Sequence, residues 1–240
     1  MIDYQEMMQR HDRAAGYADM DRDFAPIYND VRFFTMTSVE RMFDLYKSVE
    51  YVVRAGIPGD IVECGVWRGG SMMLVAKTLQ LLGDTSRGLW LYDTFEGHPK
   101  PSEDEVDLWG HRAADDWRAN LKPEGTTDWG RVGIEEVSAN MASTGYPGPV
   151  KLVKGMVEET ARLPTASAFA IARLDTDWFP SAQVSMEVFW PRLSRGGVLI
   201  VDDYGHYKGQ REAVDSYFAR NGITVKLNRV DYSCRTVVKR

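Results

Sequence analysis

Cysteine is scarce in this sequence: Cys64 and Cys234 are the two present among 240 residues. Both fall in apolar runs that read as strands, where a buried free thiol is the ordinary state, and they suggest no disulfide framework. A reducing compartment is the expectation. Long hydrophobic runs are missing too, and a membrane-spanning helix needs about 18 consecutive apolar residues. The start, Met1-Ile2-Asp3-Tyr4-Gln5-Glu6, has neither the basic residues nor the apolar core of a signal peptide, so a soluble, unexported, cytoplasmic protein is expected. Positive charge is not in excess: 29 Lys and Arg stand against 35 Asp and Glu, a net charge of −6. A nucleic-acid surface needs clustered Lys and Arg, so the expected partners are small molecules, with no nucleic acid and no membrane. Internal repeats and low-complexity tracts are absent as well.

What is present suits one α/β domain with insertions, since 44% of the residues are hydrophobic, enough for one substantial core. The informative stretch is Gly59-Asp60-Ile61-Val62-Glu63-Cys64-Gly65-Val66-Trp67-Arg68-Gly69-Gly70-Ser71, followed by Met72-Met73-Leu74-Val75-Ala76. A β-type run, a glycine loop and an apolar helical pattern read as strand, tight turn and helix, the opening of a nucleotide-binding unit. In the dinucleotide fingerprint G-x-G-x-x-G the second glycine lets a pyrophosphate press on the backbone. Here Trp67 stands where that glycine belongs, so a phosphate-free nucleoside fits better than a dinucleotide. S-adenosylmethionine offers an amine, a sulfonium and a ribose diol, all suited to acidic or acceptor groups. The candidate cofactor site is therefore Glu63, Gly65, Val66, Trp67, Arg68, Gly69 and Ser71, with Asp93, Thr94 and Phe95 at the end of the next strand, Leu89-Trp90-Leu91-Tyr92-Asp93. Arg68 either reaches the donor carboxylate or braces the loop. Gly155-Met156, after a third strand at Val150-Lys151-Leu152-Val153, either borders the adenine or packs in the core.

Along the chain, residues 1–58 read as an N-terminal helical cover and 59–240 as the main domain. Thr37 and Glu40 have capping-box spacing ahead of a helix carrying Val39, Met42, Phe43, Tyr46, Val49 and Val53. An insertion at about 96–149 is too long for an ordinary α/β connection and is expected to act as a lid or acceptor-binding element. It holds Trp109, Trp117, Trp129 and Tyr146, which stack on ligand rings or simply pack, and His98 and His111, each more commonly a packing or surface histidine than a base. In the second half Phe169–Asp175 and Val198–Asp203 read as strands, Ser181–Leu193 as a helix broken by Gly196-Gly197, and about Gln210 to Arg220 as another helix. Ile223–Leu227 and Arg235–Lys239 then read as an antiparallel pair, completing seven strands.

Chemistry collects at the strand ends. Asp175 and Asp177 follow one strand, and Asp202 and Asp203 end the next. Carboxyl ends of parallel neighbours lie about 5 Å apart, at the sheet edge where open α/β proteins bind ligands. Such carboxylates repel one another, and raised pKa values or a bound Mg²⁺ relieve the repulsion; capping of the following helices is the other use. His206, just beyond Asp203, is a candidate alternative base or outer partner, or a loop histidine without a role.

These motifs together, Gly65-Val66-Trp67-Arg68-Gly69-Gly70, Asp93-Thr94-Phe95-Glu96-Gly97, Arg173-Leu174-Asp175-Thr176-Asp177, and Asp202-Asp203-Tyr204-Gly205-His206 with Ala213-Val214-Asp215, resemble the macrocin O-methyltransferase (TylF/MycF) family from about Thr37 onward. The resemblance implies a Rossmann-like class I methyltransferase fold: a seven-stranded, mostly parallel sheet, helices on both faces, one antiparallel C-terminal strand. It implies S-adenosyl-L-methionine as donor, Mg²⁺ dependence, and as acceptor a hydroxyl, often on a sugar of a natural product. Carried onto this sequence, it implies Asp175, Asp202 and Asp203 as metal ligands, Asp175 also as base, and Glu63, Gly65 and Asp93 in donor binding. A homo-oligomer, dimer or higher, is expected.

The expected reaction is Mg²⁺-dependent O-methylation of a sugar hydroxyl. Catechol-type O-methylation and, less favoured, a nicotinamide-dependent oxidoreductase are the alternatives. A donor-binding protein without acceptor chemistry is disfavoured by the presence of every expected carboxylate.

Overall fold

The strands are β1 (Asp60–Cys64), β2 (Leu89–Asp93), β3 (Val150–Lys154), β4 (Phe169–Leu174), β5 (Leu193–Val201), β6 (Asn228–Arg229) and β7 (Arg235–Val238). In the computed structural model, which describes residues 19–240 except 124, 126 and 164, they form one sheet in the order β3-β2-β1-β4-β5-β7-β6. The first five run parallel. β7 lies antiparallel to both β5 and β6. The part of the expected cover in residues 1–18 lies outside the described residues.

Helices α1 (Phe24–Val31), α2 (Val39–Arg54), α3 (Gly70–Leu82), α4 (Ala113–Ala119), α5 (Ile134–Ser143), α6 (Val157–Thr160), α7 (Phe179–Arg192) and α8 (Lys208–Arg220) surround the sheet. Alternate strand residues point to opposite faces, so apolar strands can feed two cores. Ile61, Leu91, Ile171 and Ile200 pack with α1, α2 and α3 on one face. Val62, Cys64, Ala172, Leu174 and Val201 pack with α7 and α8 on the other. Cys64 and Cys234 are buried free thiols, as expected. Among the described residues no helix is long and apolar enough to cross a membrane.

Three local expectations are corrected. Ser38, not Thr37, caps α2, its hydroxyl accepting from Arg41 N–H at 3.3 Å; the Thr37 hydroxyl instead faces Thr35 and Met42 Sδ. Gly196-Gly197 does not break a helix, because α7 ends at Arg192 and both glycines lie in β5. There β5 bulges: Phe169 pairs with Leu193 but Ile171 pairs with Val198, and Gly196 N–H bonds to the Lys239 carbonyl at 2.7 Å. The strand expected at Ile223–Leu227 is the two-residue β6 at Asn228–Arg229. Ile223, Val225 and Leu227 pack side chains on the α7–α8 core, so their alternation reflects burial without ladder hydrogen bonds.

Candidate active site

The alternation that builds the two cores continues to the carboxyl ends of the strands, where polar residues replace apolar ones. Glu63 and Arg173 are register partners on β1 and β4, beneath the glycine loop. The loop is held in a shape only glycine allows at its first position. Gly65 has φ +81°, and a Cβ there would lie 1.8 Å from the Asp175 carbonyl oxygen. Gly65 N–H donates to the Tyr92 carbonyl and Asp175 N–H to the Cys64 carbonyl, each at 2.8 Å, so three strand ends are tied together.

Asp93 is occupied by this loop. Its Oδ2 accepts from the backbone N–H of Val66 at 2.8 Å and of Trp67 at 3.1 Å, and its Oδ1 from Phe95 N–H at 2.8 Å. It thereby steadies Trp67 and Phe95, both at positive φ. Thr94 closes the next turn through the Gly97 carbonyl at 2.7 Å. Gly69, left-handed at φ +86°, starts α3, and the Ser71 hydroxyl donates to Glu63 Oε1 at 2.5 Å. The other Glu63 oxygen is buried without a hydrogen-bond partner among the described residues, an acceptor able to hold an amine. Arg68 braces the loop: it pairs with Glu136 at 2.7 Å and donates to the Phe33 carbonyl at 3.1 Å. Gly155 N–H donates to the Asp93 carbonyl at 3.0 Å, bringing Gly155-Met156 to the same edge, where the Met156 carbonyl begins α6.

Beside the loop, Asp175, Asp177 and Asp203 each offer a carboxylate oxygen, all within 4.8 Å of one another, an arrangement able to hold a cation. Burial first, then the neighbouring carboxylates, pushes Asp177 up to about 7. Asp175 and Asp203 are raised well above the usual carboxylate range, chiefly by burial, with Asp202 adding repulsion in both. Asp202, also an expected metal ligand, faces two arginines. Its two oxygens face Arg173 Nη2 and Arg41 Nη1, each at 2.5 Å. Arg173 also binds Glu63 and, at 2.7 Å, Asp175, while Arg41 binds Asp231 at 2.7 Å. Burial opposes the charge on both arginines, yet the surrounding carboxylates outweigh it and raise their pKa values. A buried ladder thus runs from Glu63 through Arg173, Asp202 and Arg41 to Asp231, and Asp202 serves it.

The insertion closes over this edge. Glu105, 3% exposed, accepts from Phe179 N–H at the start of α7 at 2.8 Å, and a Cβ on Gly209 in α8 would collide with its other oxygen. The insertion is therefore fastened to the helices that follow both aspartate pairs. His98 lies 4.5 Å from the Trp129 ring and 5.8 Å from the Trp178 ring, with Nδ1 3.3 Å from Asp177 Oδ2. Burial holds it down to about 4, so the ring is neutral near pH 7. His206 sits among Tyr207, Trp109 and Tyr232, its Nδ1 3.4 Å from the Tyr232 hydroxyl. The structure thus turns His206 toward aromatic rings and brings His98 to the carboxylates. Sequence reasoning assigned no site role to His98, Arg41, Arg173 or Glu105. Only Arg173, inside its motif, carried a signal; the others are distant in sequence and meet the site through folding.

The chain is 35% identical over 198 residues, covering 82% of itself and 72% of the relative, to the 8-demethyl-8-(2,3-dimethoxy-alpha-L-rhamnosyl)-tetracenomycin-C 4'-O-methyltransferase of Streptomyces olivaceus. It is 31% identical over 200 residues, covering 82% and 75%, to the mycinamicin III 3''-O-methyltransferase of Micromonospora griseorubida. The solved O-methyltransferase NovP superposes with a TM-score of 0.74 at 29% identity, covering 86% of this chain and 82% of NovP. The nicotinamide alternative falls with these findings. Because the macrocin-O-methyltransferase (TylF) family model matches residues 4–239, the chain belongs to that family and is an S-adenosylmethionine-dependent O-methyltransferase.

Proposed function

We propose that the protein methylates a sugar hydroxyl of a natural product in a Mg²⁺-dependent reaction. The observation that carries this reading is the meeting of the aspartate cluster with the glycine loop, where the Asp175 carbonyl abuts Gly65. The sugar-directed activities in the relatives' names support the acceptor class. Glu63, with one oxygen lacking a donor, suits the amine of S-adenosylmethionine, and Asp93 keeps the loop in its binding shape.

Three half-buried carboxylates that repel one another are a hard oxygen donor set of the kind Mg²⁺ takes. In this reading Asp175, Asp177 and Asp203 would hold the ion, and Asp202 keeps the two arginines in place. A divalent cation held there would supply polarisation of an acceptor oxygen and lower the pKa of its proton. Asp175 accepts that proton. Arg173, 2.7 Å from Asp175 Oδ2, orients the carboxylate for it. Displacement at a sulfonium requires oxygen, carbon and sulfur in line with water excluded, and the His98, Trp129 and Trp178 rings wall the site on the insertion side.

The test is methyl transfer from labelled S-adenosylmethionine to a panel of rhamnosides and catechols, before and after chelation. Transfer to rhamnosides that stops on chelation and returns with Mg²⁺ is expected. Transfer to catechols alone would replace the sugar, and transfer that survives chelation would remove the metal.

A further inference from the structure

The insertion carries Trp109, Trp117, Trp129 and Tyr146, and the last three are committed to the fold. Trp117 Nε1 donates to the His98 carbonyl at 3.1 Å, Trp129 packs against His98 and Trp178, and the Tyr146 hydroxyl donates to the Arg87 carbonyl at 2.8 Å. Trp109 differs: it is 61% exposed, and Leu108 beside it is 46% exposed. The backbone beneath it is nonetheless fixed. Asp107 Oδ1 accepts from the N–H groups of Trp109 and His111, each at 2.8 Å, and Gly110, left-handed at φ +84°, donates to the Asp107 carbonyl at 3.1 Å. Asp107 bridges to Tyr207, and Lys208 N–H donates to the Val106 carbonyl at 3.1 Å, so the tip is fastened to the loop after β5.

That loop carries His206, whose ring lies 5.6 Å from the Trp109 ring and 6.0 Å from the Tyr232 ring, at 79° and 77° to them. Tyr232, 47% exposed, belongs to the loop between β6 and β7. Three loops from distant parts of the chain thus gather their rings into one rim, and the rim is tied to the strand end that carries the aspartates. His206 N–H and Tyr207 N–H both donate to the Asp203 carbonyl at 2.9 Å, and the Ser233 hydroxyl donates to the Asp202 carbonyl at 2.9 Å. An indole left mostly in water gains little from packing, whereas a flat apolar ring laid on it removes both faces from water. The position selects the occupant. A sugar presenting a hydroxyl to the aspartate edge lies inside the rim, so the rim meets the substituent that the sugar carries away from the edge, its aglycone.

We propose that Trp109, with His206 and Tyr232, forms the subsite for a planar apolar aglycone, and that Trp109 is a specificity-determining residue for it. The subsite rests on the sugar-acceptor reading above and is independent of how a cation is held at the edge. Because Asp107 fixes the turn in advance, stacking there does not have to order the loop first.

Methyl transfer to naphthyl rhamnoside and to methyl rhamnoside, followed with labelled S-adenosylmethionine, tests it. The wild type should favour the naphthyl glycoside in kcat/KM, and Trp109→Ala should cut that preference about tenfold, through KM and not kcat. Trp109→Phe, which keeps an aromatic face, should keep most of the preference. Calorimetric binding of naphthyl rhamnoside to the complex with S-adenosylhomocysteine should weaken in Trp109→Ala by about the same factor. A wild type without the preference, or a preference that Trp109→Ala leaves intact, would overturn the subsite while the sugar-acceptor reading stands. Equal losses on both glycosides would overturn it too, because they would mark a general defect and not lost stacking. A wild type that transfers methyl to neither rhamnoside would overturn the sugar-acceptor reading and the subsite together.

Discussion

Replacing Arg173 with Met removes one guanidinium from between three carboxylates while keeping an unbranched side chain of moderate length. Arg173, Glu63 and Asp202 have side chains only 5%, 0% and 4% exposed, and Asp175 is bound at 2.7 Å. Breaking a buried ion pair by removing one partner costs about 3–5 kcal/mol, because the remaining charge is left uncompensated. A ceiling comes from protonation: holding an ordinary carboxylate protonated near pH 7.5 costs about 1.4 kcal/mol per pH unit above its pKa, roughly 5 kcal/mol in all. For a domain of this size about 2–4 °C of Tm accompanies each kcal/mol, so Arg173→Met should melt roughly 6–20 °C below wild type. Burial already raises the Glu63 and Asp175 carboxyls, and without Arg173 nothing offsets that rise, so their folded-state pKa values lie above their unfolded values. The penalty is then fully present at high pH and shrinks as the pH falls through those raised values. Arg173→Lys should fall between, since one ammonium cannot reach Glu63, Asp175 and Asp202 as the planar fork does. Circular-dichroism melting at about pH 8 and about pH 5.5 reads both effects. A Tm loss below about 2 °C, or a deficit that grows on acidification, would refute the ladder as a structural element.

Three further outcomes are expected. Asp177→Asn should weaken Mg²⁺ binding with little change in melting, while Asp202→Asn should lower melting by stranding Arg41 and Arg173; calorimetry and melting of both variants check this, and the reverse pattern would make Asp202 the ligand. Asp177 is raised to about 7, and Asp175 and Asp203 are raised well above the usual carboxylate range, so the metal-free fold binds more protons than the unfolded chain and loses stability as the pH rises through that window. Protection by Mg²⁺ in thermal shift should therefore grow from about pH 6 to about pH 8, and a constant shift would contradict it. Gly65→Ala should abolish S-adenosylhomocysteine binding, because its Cβ would meet the Asp175 backbone carbonyl at 1.8 Å; wild-type affinity by calorimetry would show that the loop tolerates displacement.

The order and spacing of residues were enough for the parts of this protein that local physics dictates. The β1 run ending in Glu63, the glycine at position 65 and the apolar start of α3 announce a strand, turn and helix on propensity and periodicity alone. The central parallel strands were legible because strands buried on both faces are largely apolar. Aspartates at strand ends marked the edge where chemistry belongs. Local pattern failed where tertiary packing overrides it: at Ile223–Leu227, whose alternation serves a helix face, and at Gly196-Gly197, which bulge a strand. The division of labour among four aspartates was decided only in three dimensions. Asp202 and Asp203 are neighbours in sequence just beyond β5, yet Asp202 lies between Arg41 and Arg173 while Asp203 meets Asp175 and Asp177. The same holds for His98, separated by 79 positions from Asp177 and brought to it by the fold. Sequence determined which chemistry was available at the sheet edge; the tertiary structure decided which charge neutralises which, because that depends on distance through space and on the water that packing removes.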